Sequence, residues 1–333
     1  MTAARPLHLA VASRAVAPQH GYGGLERATA HHLRALARRG ARLTVFTQPP
    51  DPRQPPPDDF AGQVTWRTIP YHRRLPLRAN SIPDRLLHYA PFSRALGRAI
   101  AALCRAERVD VVHAHGLTAL GYAEQAGGPA PLPPLVLNPH GLEEFSGRNR
   151  AKWLAYAPFR RGLRRAARAA AAIIATDRAL VGPVERQLWV PPGRIVTIPN
   201  GVDVAELDAW IAPGLVRDLR DRHGLDTSPL TMVSVARLEQ NKGLDDGLAA
   251  LALLGGRLPR GWRWLIVGGG SAEAELRAAI GRLGLAANVT LVGALPDPEV
   301  HSLLECADLV LVPSRYEGSS LVALEAMAHR LPL

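Results

Sequence analysis

Glu317 and Glu325 lie eight residues apart in Tyr316-Glu317-Gly318-Ser319-Ser320-Leu321-Val322-Ala323-Leu324-Glu325. An acid at a strand end can reach a sugar hydroxyl. An acid further along the helix that follows can accept paired hydrogen bonds from the two hydroxyls of a ribose. Between them Gly318, Ser319 and Ser320, with Leu321 behind, let backbone amides at a helix start approach a phosphate. Taken singly, each glutamate is better explained blandly: a first-turn acid favoured by the helix dipole, and an ordinary helical residue.

Arg237 and Lys242 occupy Ser234-Val235-Ala236-Arg237-Leu238-Glu239-Gln240-Asn241-Lys242-Gly243, a strand-end loop that runs into a helix. Two cations beside a helix N-terminus suit a diphosphate; two solvated loop charges explain the same residues equally well. Lys242 stands out because only it and Lys152 are lysines among forty basic residues.

The first half of the chain offers weaker candidates. Gly23-Gly24-Leu25-Glu26 puts paired glycines before a helix, which permits close approach of a phosphate or sugar but equally makes a turn. Pro139-His140-Gly141 follows a strand, so His140 can donate a hydrogen bond to a substrate oxygen near neutral pH. A lone loop histidine is more often structural, and this applies more strongly to His113 and His115. Arg160, Arg164 and Arg168 recur at helical spacing behind Trp153, Leu154, Tyr156 and Phe159. That stripe is either a solvated face or a contact with an anionic membrane, where each basic residue contributes about 1 kcal/mol. Gly268-Gly269-Gly270 resembles the start of a dinucleotide fingerprint, but Glu273 replaces the third glycine and no acid lies about 20 residues on, which argues against NAD.

These residues need elements to hold them. Leu7–Ala12, Leu43–Thr47, Val109–Ala114, Leu135–Asn138, Ile173–Thr176 and Arg194–Pro199 read as strands. Leu25–Arg39, Arg85–Arg108 and Arg150–Ala172 read as helices. A second series follows: strands Thr231–Ala236, Trp264–Val267, Val289–Val292 and Leu309–Pro313, and helices Leu244–Leu254, Ser271–Leu283, Pro298–Glu305 and Ser320–His329. Alternation of this kind implies parallel sheets covered on both faces. It predicts an α/β chain of two doubly wound domains, residues 1–199 and 200–333, facing a cleft. The halt at Leu331-Pro332-Leu333, where a fifth strand should begin, reads as an incomplete second domain.

Composition narrows the class. Forty-seven per cent of the residues are hydrophobic, enough for sizeable cores, yet no run approaches the roughly 18 apolar residues of a spanning helix. Met1 to Ala17 leads straight into a strand-like segment, so no secretory leader is expected. Cys104 and Cys306 have no metal spacing and make a disulfide scaffold unlikely, in keeping with a reducing cytoplasm. Residues 1–200 hold 28 Lys and Arg against 12 Asp and Glu, a net +16, whereas residues 201–333 hold 12 against 17, a net −5. A basic first half suits an anionic surface or substrate. No basic-aromatic platform accompanies it, which argues against nucleic acid.

In this order the motifs resemble the retaining glycosyltransferases of family 4, of GT-B fold, from about residue 7 to 333. The resemblance rests on Val235-Ala236-Arg237-Leu238 with Lys242-Gly243, on Ile198-Pro199-Asn200-Gly201-Val202-Asp203, and on the Glu317/Glu325 segment. It implies a nucleotide-sugar donor held mainly by the second domain and a lipid-linked, glycan or small-molecule acceptor held by the first. Arg237 and Lys242 match the positions that neutralise the donor diphosphate, Glu325 the ribose ligand and Glu317 the acid on the transferred sugar. Gly24, with Gly23 beside it, matches the glycine near the phosphates. His140 matches the histidine near the reacting face, and Gly268 and Leu295 match the surroundings of the base. Hexosyl transfer with retention, no metal and no cofactor would follow, in the cytoplasm or at the inner membrane face. A sugar-nucleotide epimerase of the same fold, or a non-catalytic remnant that binds nucleotide or membrane, is the competing reading.

Overall fold

The computed structural model describes residues 5–57, 60, 62–71, 82–128, 130–145 and 150–333, apart from the side chains of residues 143, 151 and 152. The chain divides into two compact units, Met1–Asn200 and Gly201–Leu333.

Unit 1 is a seven-stranded parallel sheet. Its strands are β1 (His8–Ala12), β2 (Arg42–Thr47), β3 (Val64–Thr68), β4 (Val111–His115), β5 (Leu135–Asn138), β6 (Ala172–Ala175) and β7 (Ile195–Thr197). They lie in the order β3-β2-β1-β4-β5-β6-β7. Its helices are α1 (Gly24–Arg38), α2 (Ile82–Ala106), α3 (Ala119–Ala123), α4 (Arg150–Ala155), α5 (Ala157–Ala169) and α6 (Val181–Leu188). β1 is buried along nearly its whole length, as a parallel strand covered on both faces must be. One core packs Leu96, Ile100, Leu120, Leu137 and Ile173 together, and a second lies under α1 around Leu33, Leu43 and Val45.

Three features of unit 1 depart from the sequence expectation. β3 was not foreseen; it pairs in register with β2 through Val64↔Leu43 to Thr68↔Thr47. The short helix α3 follows a single 3-10 turn and packs on α2 where two glycines meet. A Cβ on Gly97 would come within 2.1 Å of the Gly121 carbonyl carbon, and Ser93 Oγ donates to Leu117 O at 2.9 Å. The basic helix expected over Arg150–Ala172 is two helices, broken at Tyr156 before Pro158, with β6 already begun at Ala172.

Unit 2 opens with α7 (Val204–Trp210) and α8 (Pro213–His223). β8 (Thr231–Val235), α9 (Leu244–Leu254), β9 (Arg263–Val267), α10 (Glu273–Arg282), β10 (Val289–Gly293), α11 (Asp297–Leu304), β11 (Leu309–Val310) and α12 (Leu321–Ala328) follow. The four strands are parallel in the order β10-β9-β8-β11. Trp264 is fully buried in the core and keeps its indole N–H satisfied by Ser234 Oγ at 3.0 Å. Past α12, the Val310 N–H donates to Pro332 O at 3.0 Å, so the segment read as a strand entry lies beside β11.

Both sheets reverse strand order at one point, between β1 and β4 in unit 1 and between β8 and β11 in unit 2. In open parallel sheets, ligands bind outside the carboxyl ends of the strands at such a reversal.

Candidate functional site

Four of the candidate residues stand at the reversal in unit 2. Arg237 and Lys242 lie on the loop after β8, and Glu317 lies on the loop after β11, with Glu325 on α12 beyond it. The first loop turns through a 3-10 segment, Gln240–Lys242, and Gly243 closes it at φ 60° before α9 begins. That glycine is obligatory: a Cβ there would stand 2.1 Å from Pro313 O, on the other loop.

Further contacts weld the two loops. The Arg315 N–H donates to Asn241 O at 3.0 Å, and its guanidinium reaches Asp245 at 2.7 Å, Asp246 at 2.8 Å and the Gln240 carbonyl. The two aspartates sit in the first turn of α9, where the helix dipole also favours them; they hold the guanidinium strongly charged. Lys242 Nζ then meets Glu317 Oε1 at 2.7 Å, and Ser314 Oγ donates to the same oxygen at 2.8 Å. The pair is half-buried, at 17 % and 30 % side-chain exposure, so its attraction is screened less than that of a surface pair. Arg237 is more exposed and pairs with Glu239 at 2.7 Å. Each cation read as a diphosphate ligand is thus held against a carboxylate. Arg315 was not singled out in the sequence, where Asp245 and Asp246 lie about 70 residues before it.

Glu325 is only 4 % exposed and, with Asp84, is one of two buried carboxylates among the described residues. Ser320 is the N-cap of α12: its Oγ accepts the Ala323 N–H at 3.3 Å. The serine expected to open space for a phosphate therefore also stabilises its helix, by about 1 kcal/mol. Leu321 is buried, whereas Gly318 and Ser319 are half-buried on the loop. Gly268 is required by packing, since a Cβ on it would stand 1.9 Å from Ala236 O. Leu295 is half-buried against the core around Val233 and Leu303.

In unit 1, Gly23 is the N-cap of α1 and Gly24 its first residue; nothing lies within 4 Å of a Cβ placed on Gly24, so the space before it is open. His140 follows β5 in the left-handed region, at φ 58°. Its backbone is fixed on both sides: its N–H donates to Asn138 Oδ1 at 2.9 Å, and Thr176 Oγ1 donates to its carbonyl at 3.2 Å. Non-glycine residues held in this region carry about 1–3 kcal/mol of strain and persist where the surroundings over-determine them.

The histidines set aside as weak candidates form one cluster with His140. His115 Nδ1 and His140 Nε2 are 2.7 Å apart with stacked rings, and the His113 and His115 centroids are 4.4 Å apart. His32, on α1, lies 6.2 Å from both His113 and His115. Desolvation, reinforced by the neighbouring imidazoles, pushes His113 and His140 down to about 3 and His115 well below the usual histidine value. All three are neutral at physiological pH, so His140 acts there as a hydrogen-bonding group and not as a cation. Alternation along β4 hid the cluster, because it makes His113 and His115 look like one strand face with no stated partner.

The arginine stripe points elsewhere than expected. Arg160 is 5 % exposed; its guanidinium donates to Glu144 O and Trp153 O and lies over the Trp153 ring. Arg164 donates to Gln187 O at 2.7 Å and lies 3.7 Å from the Trp189 ring centroid. These two arginines fasten α5 to its neighbours and are not free to meet a membrane; the exposed residues of α5 include Arg161, Arg165 and Arg168. Among the described residues, no helix is long and apolar enough to cross a membrane, and no three His, Cys, Asp or Glu are grouped to hold a metal ion.

The profile of Glycosyltransferase Family 4 matches residues 22–206, and that of Glycosyl transferases group 1 matches residues 216–333. The chain belongs to glycosyltransferase family 4. It is 31% identical over 325 residues to a D-inositol 3-phosphate glycosyltransferase of Acidothermus cellulolyticus, spanning 93% of this chain and 70% of that one. Over 175 residues, half of this chain and 42% of the relative, it is 32% identical to the alpha-D-kanosaminyltransferase of Streptomyces kanamyceticus. Its fold is similar to that of the sucrose-phosphate synthase of Thermosynechococcus elongatus, with a TM-score of 0.75 at 20% identity over 98% of this chain and 80% of that one. The chain is thus a glycosyltransferase of α/β, GT-B fold.

Proposed function

We propose that this glycosyltransferase moves a hexosyl unit, with retention, from a nucleoside diphosphate sugar to an anionic acceptor. The observation that carries the reading is the Lys242–Glu317 pair at 2.7 Å, set where the strand order of unit 2 reverses. A diphosphate would draw Lys242 and Arg237 from their carboxylates, and Glu317, so released, can accept from a sugar hydroxyl. Glu325 would take the ribose, with Gly318, Ser319 and Ser320 at the phosphates and Gly268 and Leu295 beside the base. Solved structures of this fold were obtained with UDP and UDP-glucose, for example Anabaena HepE.

In this mechanism the acceptor oxygen bonds to the anomeric carbon on the face from which the diphosphate departs. The bond to the phosphate oxygen breaks with its electron pair, and that phosphate takes the acceptor's proton. The two cations stabilise the charge that develops on the leaving group, the work a metal would otherwise do, and no cofactor takes part. One such preorganised group is worth about 10²–10³ in turnover. Gly24 leaves open space at the start of α1 for a substrate group, whereas the Glu26 carboxylate fills the space beside Gly23, and His140 serves a substrate oxygen. The net charge of +16 on residues 1–200 and the inositol phosphate named in the relatives support a phosphorylated acceptor, free or lipid-linked. Peripheral contact with an anionic bilayer would fall to the exposed Trp153, Leu154, Arg161 and Arg165.

The test is transfer from a panel of uridine, guanosine and adenosine diphosphate sugars to phosphorylated acceptors, by wild type and Lys242→Ala. The variant should lose about 10²-fold in turnover with the preferred donor; near-normal turnover would reject the diphosphate role.

A further inference from the structure

We propose that His115 is a positioning residue that fixes the ring tautomer of His140, so that His140 presents its Nδ1–H as a hydrogen-bond donor. The inference rests on the reading of His140 as a substrate-facing residue and gives that residue a defined chemistry.

One hydrogen bond joins the two rings, His115 Nδ1 to His140 Nε2 at 2.7 Å. Both imidazoles are neutral, so each carries a single ring proton, and the bond uses one proton only. If His140 gave it, His115 would carry its own proton on Nε2. That atom is sealed from solvent and has no partner. A buried N–H without an acceptor is among the rarest groups in folded proteins, and a bare ring nitrogen in the same place is cheaper. The proton therefore sits on His115 Nδ1 and is donated to His140 Nε2. His140, neutral and with Nε2 accepting, must carry its proton on Nδ1. Among the described residues nothing bonds that atom, and it is not sealed from solvent as His115 Nε2 is. The left-handed backbone, fixed by Asn138 and Thr176, holds the ring in the pose that makes the contact. His115 stands at the end of β4, the strand beside β1 where the sheet reverses, and is 1 % exposed, so its own ring has little room to turn.

The other tautomer would make His140 Nδ1 a bare acceptor. It could then bind a sugar hydroxyl only as that hydroxyl's acceptor, and it would repel a carbonyl or phosphate oxygen. The His115–His140 bond thus decides which substrate oxygens unit 1 can bind at this point.

Nitrogen-15 NMR of the full chain, labelled at histidine and recorded near pH 7, reads the tautomer through long-range proton couplings. His140 should show a pyrrole-type Nδ1 and a pyridine-type Nε2, and His115 the same pattern. His115→Leu should move His140 toward the Nε2–H form and lower kcat about tenfold with less effect on KM. His115→Asn, whose amide N–H can replace the Nδ1–H donor, should restore both. Melting of both variants checks that the fold survives. An Nε2–H tautomer of His140 in the wild type would overturn the inference, and so would an unchanged Nδ1–H tautomer in a folded His115→Leu. If the tautomers behave as stated but His140→Ala turns over normally, the substrate-facing reading of His140 fails instead.

Discussion

Mild acid should destabilise unit 1 well before its carboxylates protonate. His113 and His140 have pKa values of about 3 in the folded chain, because burial penalises the imidazolium and neighbouring histidines would repel it. In the unfolded chain each returns to about 6.5. For groups whose folded pKa is depressed in this way the neutral form is native, so their stabilisation is complete above pH 6.5 and is lost as pH falls from there toward 3. Between pH 7.5 and 5.5 each unfolded histidine takes up most of a proton while its folded counterpart takes up almost none. The linkage relation then gives a loss of about 1.4 kcal/mol per residue, or ~3 kcal/mol for the two. His115 and His32 are shifted in the same direction and add to the loss.

The carboxylates do not obscure this window. Unfolded Asp and Glu titrate near 4, below this window, and hydrogen bonds from Arg53 and from the His8 N–H push Asp51 and Asp110 lower still in the fold. Urea unfolding of the full chain, read by pulse proteolysis and mass spectrometry of peptides from β4 and β5, measures unit 1 separately. With a slope of about 3 kcal/mol per molar urea for a unit of this size, the midpoint should fall by about 1 M between pH 7.5 and 5.5. His113→Gln removes one titrating group and should shrink the loss by about 1.4 kcal/mol. A midpoint that stays level down to pH 5 would refute the buried, neutral cluster.

Arg315→Ala should weaken nucleoside diphosphate binding about tenfold by calorimetry, equivalent to ~1.4 kcal/mol, because it frees the loop that carries Lys242; unchanged affinity would show that the loops hold without it. Gly243→Ala forces a Cβ to 2.1 Å from Pro313 O at φ 60° and should destabilise unit 2 by about 2–4 kcal/mol, read as a lower melting temperature. Arg160→Gln breaks the bonds to Glu144 O and Trp153 O and should destabilise unit 1 by about 2 kcal/mol while leaving affinity for anionic vesicles unchanged. Loss of vesicle binding at full stability would return that arginine to the surface.

The parts of the chain that were legible in sequence are those where one local rule decides. The helix over Leu244–Leu254 matches its expected bounds because Gly243 starts it and Gly255 ends it, with apolar residues between. β9 was legible because Trp264-Leu265-Ile266-Val267 is the unbroken apolar run of a central parallel strand. β3 was missed because Val64-Thr65-Trp66-Arg67-Thr68 is an edge strand whose alternating polar residues look like loop until β2 supplies the partner. α3 was missed because Gly121 reads as a breaker; in the fold it is the point where two backbones touch. The site divides in the same way. Arg237, Lys242 and Glu317 could be singled out as candidates because each lies on a strand-end loop that the sequence marks, and Glu325 because it lies on the helix that follows such a loop. Arg315 was not found, because its partners Asp245 and Asp246 lie about 70 residues away. Its importance comes from joining two loops that adjoin only once β8 and β11 pair. The arginine stripe failed for the complementary reason. Helical spacing correctly placed Arg160 and Arg164 on one face, but periodicity alone cannot tell whether a face of aromatic-flanked arginines turns outward to lipid or inward onto Trp153 and Trp189. Here the rings and free carbonyls of the same chain provide the closer partners.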